Sequence, residues 1–115
     1  MALQISEQVI GGTLVMTLSG QVRLGEESTQ LRNKIKGAIG QGHKNLVLDL
    51  GDVSYVDSAG LGTLVSAYTT ASNQGGSVKL ANLTRRLNEQ LSITKLVTVF
   101  DVFESVDEAV KSFSA

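Results

Sequence analysis

The sequence predicts an α/β fold, a central mixed sheet with helices packed on it in the order β-β-α-β-α-β-α-β-α. Three observations predict it. Two β-rich runs open the chain on either side of Gly11-Gly12. From Glu26 onward, segments of helical period alternate with short apolar runs. Those runs are bounded by glycine, asparagine, aspartate or serine, the turn formers left to a chain without proline.

Residues 3–10 and 13–19 read as strands. The glycine pair between them reads as a hairpin, because glycine accepts the positive φ of tight primed turns. Leu14, Met16 and Leu18 give the second strand one apolar face, and Thr13, Val15, Thr17 and Ser19 give it a mixed one. Over residues 26–39 the period changes, and Leu31, Ile35, Ala38 and Ile39 share a helical face. Glu26 and Glu27 sit where a first turn favours negative charge, and Gly40 and Gly42 are stops. NLVLDL, residues 45–50, reads as a strand buried on both faces, with a loop leading on to Ser58.

From there Leu61, Leu64, Val65, Tyr68 and Ala71 form a helical stripe that ends near Gly75-Gly76. SVKLA, residues 77–81, is the next strand, and Leu83, Leu87 and Leu91 mark a short helix. The last strand is expected within residues 96–102. Ser105 and Glu108 have capping-box spacing, and Val106, Ala109, Val110 and Phe113 form the buried face of a final helix. Alternation from the third strand onward implies parallel strands joined by right-handed crossovers, and the first hairpin supplies an antiparallel edge.

The chain has 115 residues, of which 42% are hydrophobic and 18% charged. Residues 1–115 are therefore expected to form one domain with its own core. A net charge of -1 leaves no basic surplus for phosphates, which argues against nucleic acid as the main partner. The Arg85-Arg86 doublet reads as a solvated helix face. The absence of cysteine removes disulfides, thiol catalysis and thiolate metal sites, and fits a cytoplasmic protein. The opening MALQISEQVIGG lacks a charged region and a long apolar run, so no signal peptide is expected. No apolar stretch approaches the ~20 residues a membrane helix needs, so no direct membrane insertion is expected. His43, the one histidine, reads as a loop residue and leaves little basis for a zinc site.

The stretch DVSYVDSAGLGTLVSA, residues 52–67, sets a serine between an acid and small residues where a strand hands over to a helix. Ser58 can be the N-cap, its hydroxyl accepting from a free backbone N–H. Alternatively Asp57 is the cap, and Ser58 opens the helix with its hydroxyl outward. Gly60 and Gly62 each cost ~1 kcal/mol relative to alanine inside a helix, which suggests that something approaches this backbone closely.

Three chemistries could use such a turn. SAGLGT lacks the spacing and lysine of a phosphate-binding loop. A nucleophilic serine lacks its GxSxG elbow, since Ser58 follows Val56-Asp57, and His43 is a poor candidate base. A phosphate acceptor needs less: phosphorylation adds a charge of about -1.5 to -2. Backbone N–H groups at the helix start could receive that charge, while Asp57 would repel it. The net effect is a changed surface that blocks docking without unfolding the chain. Asp49 is a rival acceptor of the receiver-domain kind. No acidic pair follows the first strand, however, and Phe103-Glu104 stand where such domains need lysine. Asp49 reads instead as a polar strand end satisfied by loop N–H groups.

NLVLDLGDVSYVDSAGLGTLVSA closely resembles the signature of the STAS domain family, the anti-sigma factor antagonists. The resemblance runs nearly end to end, taking in the opening two-strand unit, LANLTRRLNEQLSITKL and VFESVDEAV. It implies a bacterial, cytoplasmic, non-enzymatic switch that controls sigma-factor-dependent transcription. In the family, the unphosphorylated antagonist binds an anti-sigma factor that is also a serine kinase. Phosphorylation of the serine in the DSxG motif releases it, and a metal-dependent serine phosphatase restores binding. ATP and Mg²⁺ belong to the kinase, so no cofactor is expected in this chain.

The phospho-acceptor falls on Ser58. Asp57 and the Ala59-Gly60-Leu61-Gly62 turn fall on the surface offered to the kinase. Two positions depart from the family. Gly20-Gln21-Val22-Arg23 stands where Gly-x-Leu-Asp is common, so a cation replaces an anion. Arg23 could pair with Asp57, pair with a phosphate on Ser58, or remain a solvated loop residue. Lys95 stands where glycine is frequent, which implies a different loop conformation. Family members also serve as regulatory or scaffold subunits of transporters and sensory assemblies, an alternative that needs no phosphorylation. A third reading has the Gly60-Leu61-Gly62 turn hold a nucleotide phosphate.

Overall fold

The computed structural model describes residues 3–113. Met1, Ala2, Ser114 and Ala115, inside the expected domain bounds, lie outside the described residues. Five strands form one sheet in the spatial order β1 (Gln4–Ile10), β2 (Thr13–Val22), β3 (Asn45–Val56), β4 (Ser77–Ala81), β5 (Val102–Phe103). β1 and β2 pair antiparallel, and every later pairing is parallel. The hairpin turns on Gly11 and Gly12, both at positive φ (56° and 82°), as a primed turn requires.

The helices are α1 (Glu26–Gly40), α2 (Ser58–Asn73), α3 (Arg85–Ile93) and α4 (Val106–Ser112). Residues of α1, α2 and α3 pack with Leu14, Met16, Leu18, Leu46, Leu48, Leu50 and Leu80 into one cluster. The strand residues between these point the other way. Val15, Val47 and Ala81 meet Ala109 of α4 in a second, smaller cluster. A fully buried leucine contributes about 2 kcal/mol, so the side that holds most of them dominates stability. Residues 46–48 have no exposed surface, as a strand covered on both faces requires.

Two expectations are corrected. β3 does not end at Leu50 and give way to a loop: it runs on to Val56, and β2 runs on to Val22 beside it. Gly51, Asp52 and Ser54 break the apolar alternation there, and irregularities between Thr17 and Ser19 and between Gly20 and Gln21 shift the register. β4 pairs with β3 as far as Asp49, so the last seven residues of β3 extend past it. α3 fills the gap, with Gln90 Nε2 donating to the Val56 carbonyl at 2.7 Å.

The second correction concerns residues 96–102. Leu96–Thr98 form a single 3-10 turn, and β5 is confined to Val102–Phe103. Lys95 starts the turn in the left-handed region (φ 64°), and its carbonyl accepts from the Thr98 hydroxyl at 2.8 Å. The lysine thus takes a conformation that glycine favours. Phe100 is buried against Tyr68 edge to face, 5.6 Å between centroids, so this apolar stretch anchors the chain and adds no longer strand.

Helix caps follow local chemistry. The Thr84 hydroxyl accepts from the Leu87 N–H, which starts α3 after Leu83. The Ser105 hydroxyl accepts from the Glu108 N–H at 3.1 Å, which starts α4. Among the described residues, no helix is long and apolar enough to cross a membrane.

Candidate functional site

The extension of β2 and β3 delivers Asp57 and Ser58 to the end of the sheet. Asp57 is extended (φ -89°, ψ -176°) and caps α2. Its Oδ1 accepts from the Gly60 N–H at 2.8 Å, and its Oδ2 accepts from the Leu24 N–H at 2.9 Å. One carboxylate therefore joins the start of α2 to the β2–α1 loop. The Asp57 N–H donates in turn to the Val22 carbonyl at 3.1 Å. These contacts hold the Asp57 carboxyl below its ordinary value of 3.8; the Gly60 N–H contributes most, then Leu24, while desolvation opposes them. Asp57 is a carboxylate at neutral pH, and each of its oxygens already accepts a bond.

With Asp57 as the cap, Ser58 is the first residue of α2 and is exposed. Of the next four residues, two turn inward. A Cβ on Gly60 would stand 2.6 Å from the Val22 carbonyl oxygen and 2.7 Å from Val56 Cγ1. The close approach implied by this glycine is made by the protein's own strands. Leu61 is 8% exposed and belongs to the main core. Ala59 is half-buried. Gly62 is exposed, and a Cβ there would meet nothing within 4 Å. Positions i and i+4 share a helix face, so Gly62 leaves clear ground beside Ser58.

Arg23 directs its Nε to Glu27 Oε1 at 3.4 Å, while Asp57 bonds the neighbouring backbone. Its charge still reaches Asp57 as the last of the causes that lower that carboxyl.

Three residues on the two elements that bond Asp57 and Val56 were missed from sequence. Leu24 is 80% exposed, on the loop that Asp57 holds. Ile93, at the end of α3, is 82% exposed, three residues beyond the Gln90 that bonds Val56. An isolated leucine between Arg23 and Gly25 was the available signal for the first; for Gln90 and Ile93 no local signal exists.

The other candidates fall elsewhere. Asp49 lies within β3, where Oδ1 accepts from the Gly51 N–H and from Asn82 Nδ2, both at 3.1 Å. His43 is half-buried after α1. Arg85 pairs with Glu89 on an exposed face, and Arg86 lies 5.2 Å from the centre of the Tyr55 ring. Among the described residues, no group of three His, Cys, Asp or Glu could hold a metal ion. The Gly60-Leu61-Gly62 turn offers an anion little, because the Asp57 carboxylate already takes the Gly60 N–H.

The STAS domain model matches residues 4–109. The anti-sigma-B factor antagonist of Bacillus subtilis (strain 168) is 43% identical over 72 residues, which span 63% of this chain and 65% of that protein. The crystal structure of an anti-sigma factor antagonist from Mycobacterium paratuberculosis superposes with a TM-score of 0.86 at 18% identity, covering 99% of this chain and 96% of that one. The Bacillus cell fate determinant SpoIIAA in its phosphorylated form gives 0.74 at 23% identity, covering 97% and 99%. At those identities the two structures establish likeness of fold. A match to the family model over nearly the whole length, with the DSxG serine at the head of α2, places this chain in the STAS domain family.

Proposed function

We propose that this chain is an anti-sigma factor antagonist, a binding protein and not an enzyme, controlled by phosphorylation of Ser58 in the cytoplasm. Unmodified, it docks on an anti-sigma factor that is also a serine kinase and so frees the sigma factor. The kinase transfers the γ-phosphoryl group of its ATP to the Ser58 oxygen, docking is lost, and a serine phosphatase restores it. One observation carries this reading: Asp57 takes the cap, which leaves the Ser58 hydroxyl free of that duty at an exposed helix start. The docking ground is Ser58 with Asp57, Ala59 and Gly62, beside the exposed Leu24 that Asp57 holds. A dianion placed amid such ground disrupts an apolar fit by desolvation cost and by repulsion from Asp57.

Two measurements test it. Affinity capture from the native cell is expected to recover an ATP-binding kinase, and mass spectrometry to find one phosphate, on Ser58. Ser58→Ala is expected to keep the partner and lose the label. Labelling that survives in Ser58→Ala rules Ser58 out as acceptor, and recovery of a transporter subunit without any phosphate favours the scaffold role.

A further inference from the structure

Arg23 is bracketed by the residue that precedes Ser58. On one side the Val22 carbonyl accepts from the Asp57 N–H at 3.1 Å, and on the other the Leu24 N–H donates to Asp57 Oδ2 at 2.9 Å. The Arg23 carbonyl is fixed as well, accepting from the Ser28 N–H at 3.1 Å and the Ser28 hydroxyl at 2.8 Å. The backbone of Arg23 is thus held firmly beside the Asp57-Ser58 turn.

Its side chain is held loosely. The contact to Glu27 is 3.4 Å, and the Arg23 side chain is 46% exposed. Strong charge-assisted N–H···O bonds run about 2.7–2.9 Å, so this pair is weak. Glu27 also has another source of stabilisation, since it lies in the first turn of α1, where the helix field favours an acid.

A phosphate on Ser58 finds two of the nearby donors taken. The Gly60 and Leu24 N–H groups are both bonded to the Asp57 carboxylate, which itself repels a second anion. We propose that Arg23 is the receptor for phosphate on Ser58: its guanidinium leaves Glu27 and pairs with the phosphoserine oxygens. A planar fork carrying a full charge suits two phosphate oxygens better than it suits one distant carboxylate oxygen. The exchange alters the docking ground at two points, because Arg23 moves as the phosphate arrives. The proposal rests on the reading that Ser58 takes the phosphate.

The test separates the two. Phosphoserine is installed at position 58 during translation, with no kinase, in the native chain, in Arg23→Gln and in Arg23→Lys. The second protonation of the phosphate is followed by phosphorus NMR at low salt. Asp57 and Glu27, the acids beside it, are the same in all three chains. The native chain is expected to hold that proton about threefold more weakly than Arg23→Gln, with Arg23→Lys recovering part of the difference. Identical titrations in the native and glutamine chains overturn the role of Arg23 and leave phosphorylation of Ser58 standing. A kinase that fails to label Ser58, beside a clear titration difference, retires the phosphorylation reading and leaves the pairing intact.

Discussion

The first turn of α2 has an inner and an outer half, built from the same small residues for opposite reasons. Gly60 and Leu61 face the ends of β2 and β3, where space is so short that a methyl group at position 60 would meet the Val22 carbonyl. Ser58 and Gly62 face open solvent. A glycine is required at 60 by contact and is permitted at 62 by emptiness. The contrast teaches that a motif of alternating small residues need not be one functional unit. Half of it seats the helix, and the other half is available to a visitor.

Substituting across this divide probes it, beginning with the largest effect. Gly60→Ala is expected to cost about 3 kcal/mol, because a Cβ at 2.6 Å from backbone oxygen forces the helix off its strands. Urea denaturation measures this, and a cost below ~1 kcal/mol would dissolve the distinction between the halves. Asp57→Asn comes next. A carboxamide has one oxygen to accept with, so it cannot serve both the Gly60 and Leu24 N–H groups. The native advantage over this variant depends on pH with a definite sign. A carboxyl whose folded value is depressed stabilises above its ordinary value of 3.8 and loses that contribution as pH falls through the folded one. Denaturation midpoints of the two chains are expected to differ steadily at neutral pH and to converge in acid; a gap that persists in strong acid would trace to packing. Gly62→Ala is the smallest and opposite in sign. With free space at 62, alanine should stabilise α2 by up to ~1 kcal/mol through helix propensity while slowing phosphorylation by crowding Ser58. Unchanged labelling in that variant would show that the clear ground is incidental.

Much of this was legible in the sequence. The element order followed from switches between periods of two and 3.6, and NLVLDL announced a strand covered on both sides. The head of α2 was legible as a helix start, but Asp57 and Ser58 are both good caps, and nothing local chooses between them. The choice is made by the Leu24 N–H, 33 residues away in sequence, which rewards a side chain with two acceptor oxygens. The run of β3 beyond Leu50 was hidden for a related reason. Its polar residues lie where β4 no longer covers the strand, so the alternation that marks a half-buried strand is diluted by glycine, aspartate and register shifts. Likewise the apolar residues from 96 to 100 promised a strand, yet one left-handed lysine turns them into a corner that buries Phe100.

That overrun of β3 has a spatial consequence. Seven residues at ~3.3 Å each carry the strand roughly 20 Å past the last residue that β4 pairs, with β2 along one side and Gln90 of α3 on the other, and the exposed Ser58 follows just beyond its end. An enzyme that modifies a protein must surround the atom it attacks, and a hydroxyl set flush in a broad wall would keep the catalytic groove at a distance. Here the hydroxyl stands at the rim of the molecule, where the sheet ends and α2 begins.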